Sequence, residues 1–205
     1  ILGRRRALGS PWLFLVVVLG VHLAATGRVQ SQVGPNGDEP HYLIVAGSLL
    51  RDGDVAVEQD FEEGRYRTFH PEPLKPHYRV RGRDGVIYSL HAVGLSLLIL
   101  PAYAVGGYAG ASFFMAVLGV LVAWETRGLL REVLADPAVV EGDGRRRAAD
   151  AVAWVVALSP PLVHYAGLVF TEVAAALLVV VVLRHARGLR DKPWWVALGL
   201  GVAAS

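Results

Sequence analysis

Asp38 and Glu39 are adjacent carboxylates in the run Gly37-Asp38-Glu39-Pro40-His41-Tyr42. A carboxylate held against a hydroxyl serves as a general base, which contributes about 10²–10⁴-fold in rate. A second acid beside it can orient the acceptor or the other substrate. Capping a helix needs only one carboxylate, and Pro40 would then sit in the first turn. The doubled acid with His41 and Tyr42 beside it therefore reads as a site. Glu172 is a third acid of interest, flanked by Thr171 and Val173. An acid at the bilayer centre costs about 2.5–3.5 kcal/mol on insertion scales. Glu172 thus calls for a partner, a wet cavity, or a helix start capped by Thr171, where the macrodipole supports it.

The stretch after the acid pair is rich in charge. Tyr42, Val45, Ala46, Leu49 and Leu50 recur at helical spacing, predicting a short helix that lies along a membrane surface and stops at Asp52-Gly53. Asp52, Asp54, Glu58, Asp60, Glu62 and Glu63 form an acidic segment, and Arg65, Arg67, Lys75, Arg79, Arg81 and Arg83 a basic one. Such charges usually pair with each other as solvated faces. The alternative use is phosphate binding, which suits the planar fork of an arginine, with Arg79 and Arg81 as candidates beside His91. Tyr78 to Ser89 reads as a small hairpin around Asp84-Gly85. His41, His70, His77 and His91 share this loop. They are compatible with a divalent cation, but no spacing such as His-Glu-x-x-His is present, so no metal ligands and no cofactor are assigned.

The elements that must position these residues are apolar. Of 205 residues 54% are hydrophobic and 19% charged, and the mean hydropathy is +0.43. The apolar residues come in blocks, the pattern of a membrane protein rather than of a soluble domain. A net charge of +2 argues against nucleic acid as a partner, and the absence of cysteine excludes disulfides and thiolate metal sites. The expected class is an all-α polytopic membrane protein, a helical bundle whose extracytoplasmic first loop carries short interfacial helices. Membrane lipids are its expected surroundings.

Spans are expected at about 7–26, 109–130, 149–169 and 172–187, with another starting at 194–205 and an outer loop over 27–108. Arg4, Arg5 and Arg6 precede the first span, Arg145 to Arg147 the third, and Arg184 to Lys192 follow the fourth. By the positive-inside rule these clusters stay cytoplasmic. Between His91 and Arg145 the chain must then cross an odd number of times. The economical solution is one crossing over 109–130, preceded by an interfacial or re-entrant piece broken at Gly94, Pro101, Gly106 and Gly107, with Tyr103 and Tyr108 at headgroup level. Glu125 is expected as a snorkelling charge at the inner end. This threading delivers Tyr165 and Glu172 to the same outer side as Asp38 and Glu39. A cleaved signal peptide is the rival reading of the first block. The chain starts at Ile1 and stops within an apolar run from Trp194 to Ser205, so it reads as the N-terminal part of a larger membrane protein.

With these residues in place, the chain resembles the GT-C superfamily of polytopic glycosyltransferases, in particular bacterial proteins of the protein O-mannosyltransferase and lipopolysaccharide-modifying kinds. The resemblance rests on the first span followed by Gly37-Asp38-Glu39-Pro40-His41-Tyr42, on Tyr88-Ser89-Leu90-His91 before Gly94-Leu95-Ser96-Leu97-Leu98, and on Ser159-Pro160 with the later Thr171-Glu172. Where the family carries His-Pro-Pro, this chain has His91-Ala92-Val93. The resemblance implies transfer of a sugar from a polyprenyl-phosphate carrier to a hydroxyl acceptor, with the site facing out of a bacterial-type inner membrane. It gives Asp38 the position of the catalytic acid and Glu39 that of its neighbour. His41, Tyr42, Arg79, Arg81, His91, Tyr165 and Glu172 are then candidate substrate contacts. Two other classes remain open on the residues alone: a transporter or flippase-like protein, and a membrane assembly protein without chemistry.

Overall fold

A computed structural model of the chain describes residues 9–78, 81–135 and 144–186. Among these the regular structure is helical: α1 (Pro11–Gln32), α2 (Glu39–Arg51), α3 (Glu58–Glu62), a 3-10 turn (Arg65–Thr68), α4 (Val93–Ala135), α5 (Arg145–Ala157), α6 (Pro160–Tyr165) and α7 (Thr171–Ala186). An isolated antiparallel bridge joins Ala56 to Tyr88. Two helices, α1 and α4, are long and apolar enough to cross a membrane.

The chain divides into two compact units. The first comprises 1–24, 116–166 and 172–205, and the second 25–115 and 167–171. In the first unit Phe14 and Val18 of α1 pack with Val120 and Ala123 of α4 and with Ala153 and Ala157 of α5. Small residues allow close approach. A Cβ built on Gly119 would stand 2.7 Å from the Ala166 Cβ, and the buried His22 ring reaches the Ala157 carbonyl at 3.0 Å.

The charges at one end of this unit are matched. Arg127, 2% exposed, donates to Asp150 at 3.0 Å and to the Gly9 carbonyl at 2.8 Å. Arg131 donates to the same carboxylate. Arg184 bridges Glu125 and Glu132 at 2.9 and 2.8 Å. Glu125 is therefore held in an ion pair, where the sequence suggested a free snorkelling charge.

The expected span at 149–169 is not one helix. Pro160 and Pro161 remove backbone donors, so α5 ends at Ala157 and α6 restarts from Ser159 as an extended N-cap. With 13 residues, α5 is about 20 Å long, short of a hydrocarbon core of about 30 Å, and the 16 described residues of α7 cover about 24 Å. The expected start at 194–205, like the arginines at 4–6, lies outside the described residues. The break at Gly106 and Gly107 is present: Gly107 adopts φ 56°, ψ −143°, which suits glycine, while Pro101 is carried within the helix.

The second unit has its own core. Ile44 and Val45 of α2 pack with Val57, Tyr66 and Ile87, flanked by Leu49, Phe61 and Leu74. Every residue from Glu39 to Ser48 is buried. The apolar face of α2 is thus covered by its own loop, where the sequence suggested a helix lying on a membrane surface. Gly53, at φ 76°, ends α2 as expected, with its N–H donated to the Ser48 carbonyl.

Candidate functional site

The site grows from the first turn of α2 in the second unit. Gly37 takes φ 59°, so the chain turns sharply into the helix, with the Phe170 ring 3.4 Å from where a Cβ would stand. Asp38 precedes the helix in a right-handed conformation, φ −87°, ψ −12°, and its side chain makes no capping hydrogen bond. A capping side chain normally works from an extended backbone. The capping explanation for Asp38 therefore fails.

Glu39 does different work. Its carboxylate is completely buried and accepts from the Asn36 N–H at 3.1 Å and the Val169 N–H at 2.8 Å. Burial pushes its pKa up, and the two backbone donors partly offset this. The bond to Val169 fastens 167–171 onto the start of α2 within the same unit. The adjacent acids thus have separate surroundings: Glu39 faces inward on backbone donors, while the Asp38 side chain is 51% exposed.

Asp38 faces imidazoles. Its Oδ1 lies 3.8 Å from His91 Nε2 and 3.9 Å from His77 Nδ1. His77 and His91 approach each other to 3.3 Å through the same two nitrogens. The His41 ring stacks on His77, with centroids 3.8 Å apart and planes 23° apart, and lies 5.3 Å from His91. The hairpin predicted between Tyr78 and Ser89 brings these residues together. The Gly82 N–H donates to the Val86 carbonyl and the Leu90 N–H to the His77 carbonyl, both at 2.8 Å, closing the chain on itself next to His91.

Electrostatics follow from burial. The His41 pKa falls to about 4, first because the ring is buried and then because His77 and His91 oppose a further positive charge. That of His91 is also lowered, burial outweighing the attraction of Asp38. Burial thus favours the neutral form of both rings. The Nε2 of His41 is buried without a hydrogen-bond partner.

The remaining candidates divide. Tyr42 is buried with its ring 5.0 Å from His91, and its carbonyl accepts from Ser96 Oγ at 2.9 Å, tying α4 to α2. Arg81 donates to Glu58 at 2.5 Å and to the Gly85 carbonyl at 2.7 Å, so its fork is largely engaged. Arg65 likewise holds Asp52 and Glu63, and Arg51 holds Asp60. Arg79 lies outside the described residues. Tyr165, beside His164, and Glu172, in the first turn of α7, belong to the first unit. His77, present in the loop but not among the sequence's substrate contacts, joins the site. The signal for it was the turn at Asp84-Gly85, which returns the chain to His91.

A cavity of about 490 Å³ opens in the same unit beside the Gly106–Gly107 break, lined by Pro35, Phe69, Tyr103 and Tyr108 among others. No family model, no curated protein and no solved structure matches this chain.

Proposed function

We propose that this chain is part of a multi-pass membrane glycosyltransferase of the GT-C kind, moving a sugar from a polyprenyl phosphate to a hydroxyl acceptor on the extracytoplasmic side. The observation that carries this reading is Asp38. It is an acid at a helix start that does no capping, keeps half its surface open, and faces two imidazoles. Such a carboxylate is available to take a proton.

Asp38 accepts the proton of the acceptor hydroxyl. The hydroxyl oxygen bonds to the anomeric carbon as the carbon–oxygen bond to phosphate breaks, and the electron pair leaves on the lipid phosphate. Attack opposite the leaving group inverts the anomeric centre. Glu39 acts as a positioning residue, fixing the turn that carries Asp38. His91, at 3.8 Å from Asp38, orients the carboxylate or the acceptor.

The membrane setting has its own support. In α1 only 22% of the most apolar window is buried, and Trp12, Val16 and, on α4, Val105 are strongly exposed. A core helix of a soluble protein hides such residues, whereas a lipid-facing helix displays them. The arginine clusters, read by the positive-inside rule, favour an outer position for Asp38.

The test is transfer of labelled sugar from polyprenyl phosphate by the protein reconstituted in vesicles. Asp38→Asn should lower transfer at least about 100-fold with helical content unchanged. Full activity in that variant would remove Asp38 from the base role. Movement of the labelled lipid across the vesicle without transfer would replace the enzyme reading with a transporter.

A further inference from the structure

We propose that His41, His77 and His91 form a binding site for a divalent transition-metal ion of the zinc class, its fourth position left open beside Asp38. The site stands on the histidine geometry and does not rest on sugar transfer.

Three histidines from three separate places converge within the second unit: His41 in the first turn of α2, His77 before the hairpin and His91 after it. One ligand nitrogen from each lies within 4.8 Å of the others. In a tetrahedral zinc site, with bonds near 2.1 Å, neighbouring ligand atoms stand roughly 3.4 Å apart. His77 Nδ1 and His91 Nε2 are already at 3.3 Å, and Asp38 Oδ1 is 3.8 and 3.9 Å from them. The remaining contraction falls on side chains free to make it, since those of His77 and Asp38 are about half exposed. His77 has to turn out of its stack on His41 for the nitrogens to point at one centre. The hairpin bond from Leu90 to the His77 carbonyl holds the backbone while the ring turns.

An independent observation points to a ligand. His41 is 3% exposed, and its Nε2 has no hydrogen-bond partner. Buried polar nitrogens are normally satisfied, and an orphaned one marks a missing partner. Imidazoles are the donors that zinc, cobalt and their neighbours prefer, whereas magnesium and calcium favour oxygen. Three histidines with an open fourth position also match sites that admit a substrate oxygen there. An ion there would supply the positive charge that a departing phosphate needs and that Arg81, engaged with Glu58, is poorly placed to give.

The test uses the tag-free protein in detergent, stripped with chelator and titrated with cobalt(II) and zinc(II). One cobalt per chain with the intense visible bands of a four-coordinate site is expected, displaced by zinc. X-ray absorption of the zinc form should show at least two imidazoles in the first shell. His41→Ala and His91→Ala should each weaken binding by about 100-fold or more, whereas His70→Ala, whose ring instead bonds the Pro35 carbonyl, should leave it unchanged. No saturable binding, a first shell of oxygens alone, or equal loss in His70→Ala would overturn the site. Because spectroscopy on the unaltered protein reads the ligands directly, misfolding of a variant does not protect the proposal. Binding with no sugar transfer would leave the metal site standing and remove only the enzyme reading.

Discussion

Asp150 of the first unit and Asp38 of the second sit among different partners. In the first, Arg127 and Arg131 share the Asp150 carboxylate, and Arg184 shares Glu125 and Glu132. In the second, Glu39 is satisfied by backbone donors, but Asp38 faces imidazoles and His41 keeps an orphaned nitrogen. A matched buried charge tells of structure, because its partner offsets the cost of leaving water. An unmatched one persists only where something beyond folding keeps it. Asp150 is buried among guanidinium groups and Asp38 is half exposed beside imidazoles, so burial and partners together separate an anchor from a candidate base.

The largest expected effect breaks the matched side. Asp150→Ala leaves Arg127 buried without a counter-charge and should destabilise the protein by about 3–5 kcal/mol, read by chemical denaturation in detergent. The double variant Asp150→Leu with Arg127→Met should regain most of that loss, since a well-packed apolar pair avoids desolvation altogether. If Asp150→Ala unfolds like the unaltered protein, the ion pair is not an anchor. Next comes the contrast between neighbours. Glu39→Ala strands the buried Val169 N–H, which costs about 1–3 kcal/mol when unsatisfied, while the exposed Asn36 N–H can turn to water. Asp38→Ala, which removes no hydrogen bond to the backbone, should change stability by less than about 0.5 kcal/mol. Equal destabilisation by the two changes would erase the division of labour between the acids.

How far the sequence carries can be seen in the same residues. The stop at Asp52-Gly53, the break at Gly106-Gly107 and the turn at Asp84-Gly85 were legible because glycine's backbone freedom is a local property. Asp38 and Glu39 drew attention through their doubling. That Glu39 turns inward was not legible: it depends on the backbone of 167–171, far along the chain, arriving to donate the Val169 N–H to its carboxylate. The split of 149–169 was in view as Pro160-Pro161, yet apolar composition outweighed it. His77 gained its place only through tertiary contact, since nothing in the spacing of 41, 77 and 91 repeats with a helix or a strand. The pairing of Glu125 with Arg184 escaped for the same reason.

Gly37 offers a smaller test of the turn that aims Asp38. At φ 59° an alanine costs about 1–2 kcal/mol. Its methyl group would also meet the Phe170 ring at 3.4 Å, an ordinary contact that adds little. Gly37→Ala should therefore lower stability by about that amount and lower sugar transfer by a larger factor than Asp38-independent changes of equal stability. Equal scaling of the two would mean that the turn serves folding alone.

The smallest effect lies in the hairpin that carries His77 to His91. Tyr88 donates its hydroxyl to Asp84 at 2.5 Å, and Asp84 also accepts the Val86 N–H at 3.0 Å. Together these hold the Asp84 carboxyl below its ordinary range, the tyrosine bond being the larger cause, and raise the Tyr88 hydroxyl. A carboxylate with a depressed folded-state pKa adds stability that is present above its unfolded value and is lost as pH falls through its folded value. Tyr88→Phe should move the Asp84 midpoint upward, seen in its carboxyl carbon resonance, and should flatten the acid side of the stability profile. Since Asp84 is exposed, the loss of stability should be barely measurable. The change should instead loosen the approach of His77 to His91 and weaken cobalt binding severalfold. An unchanged midpoint would show that the tyrosine bond does not hold the turn, and the meeting of the two histidines would then depend on the Leu90 to His77 backbone bond alone.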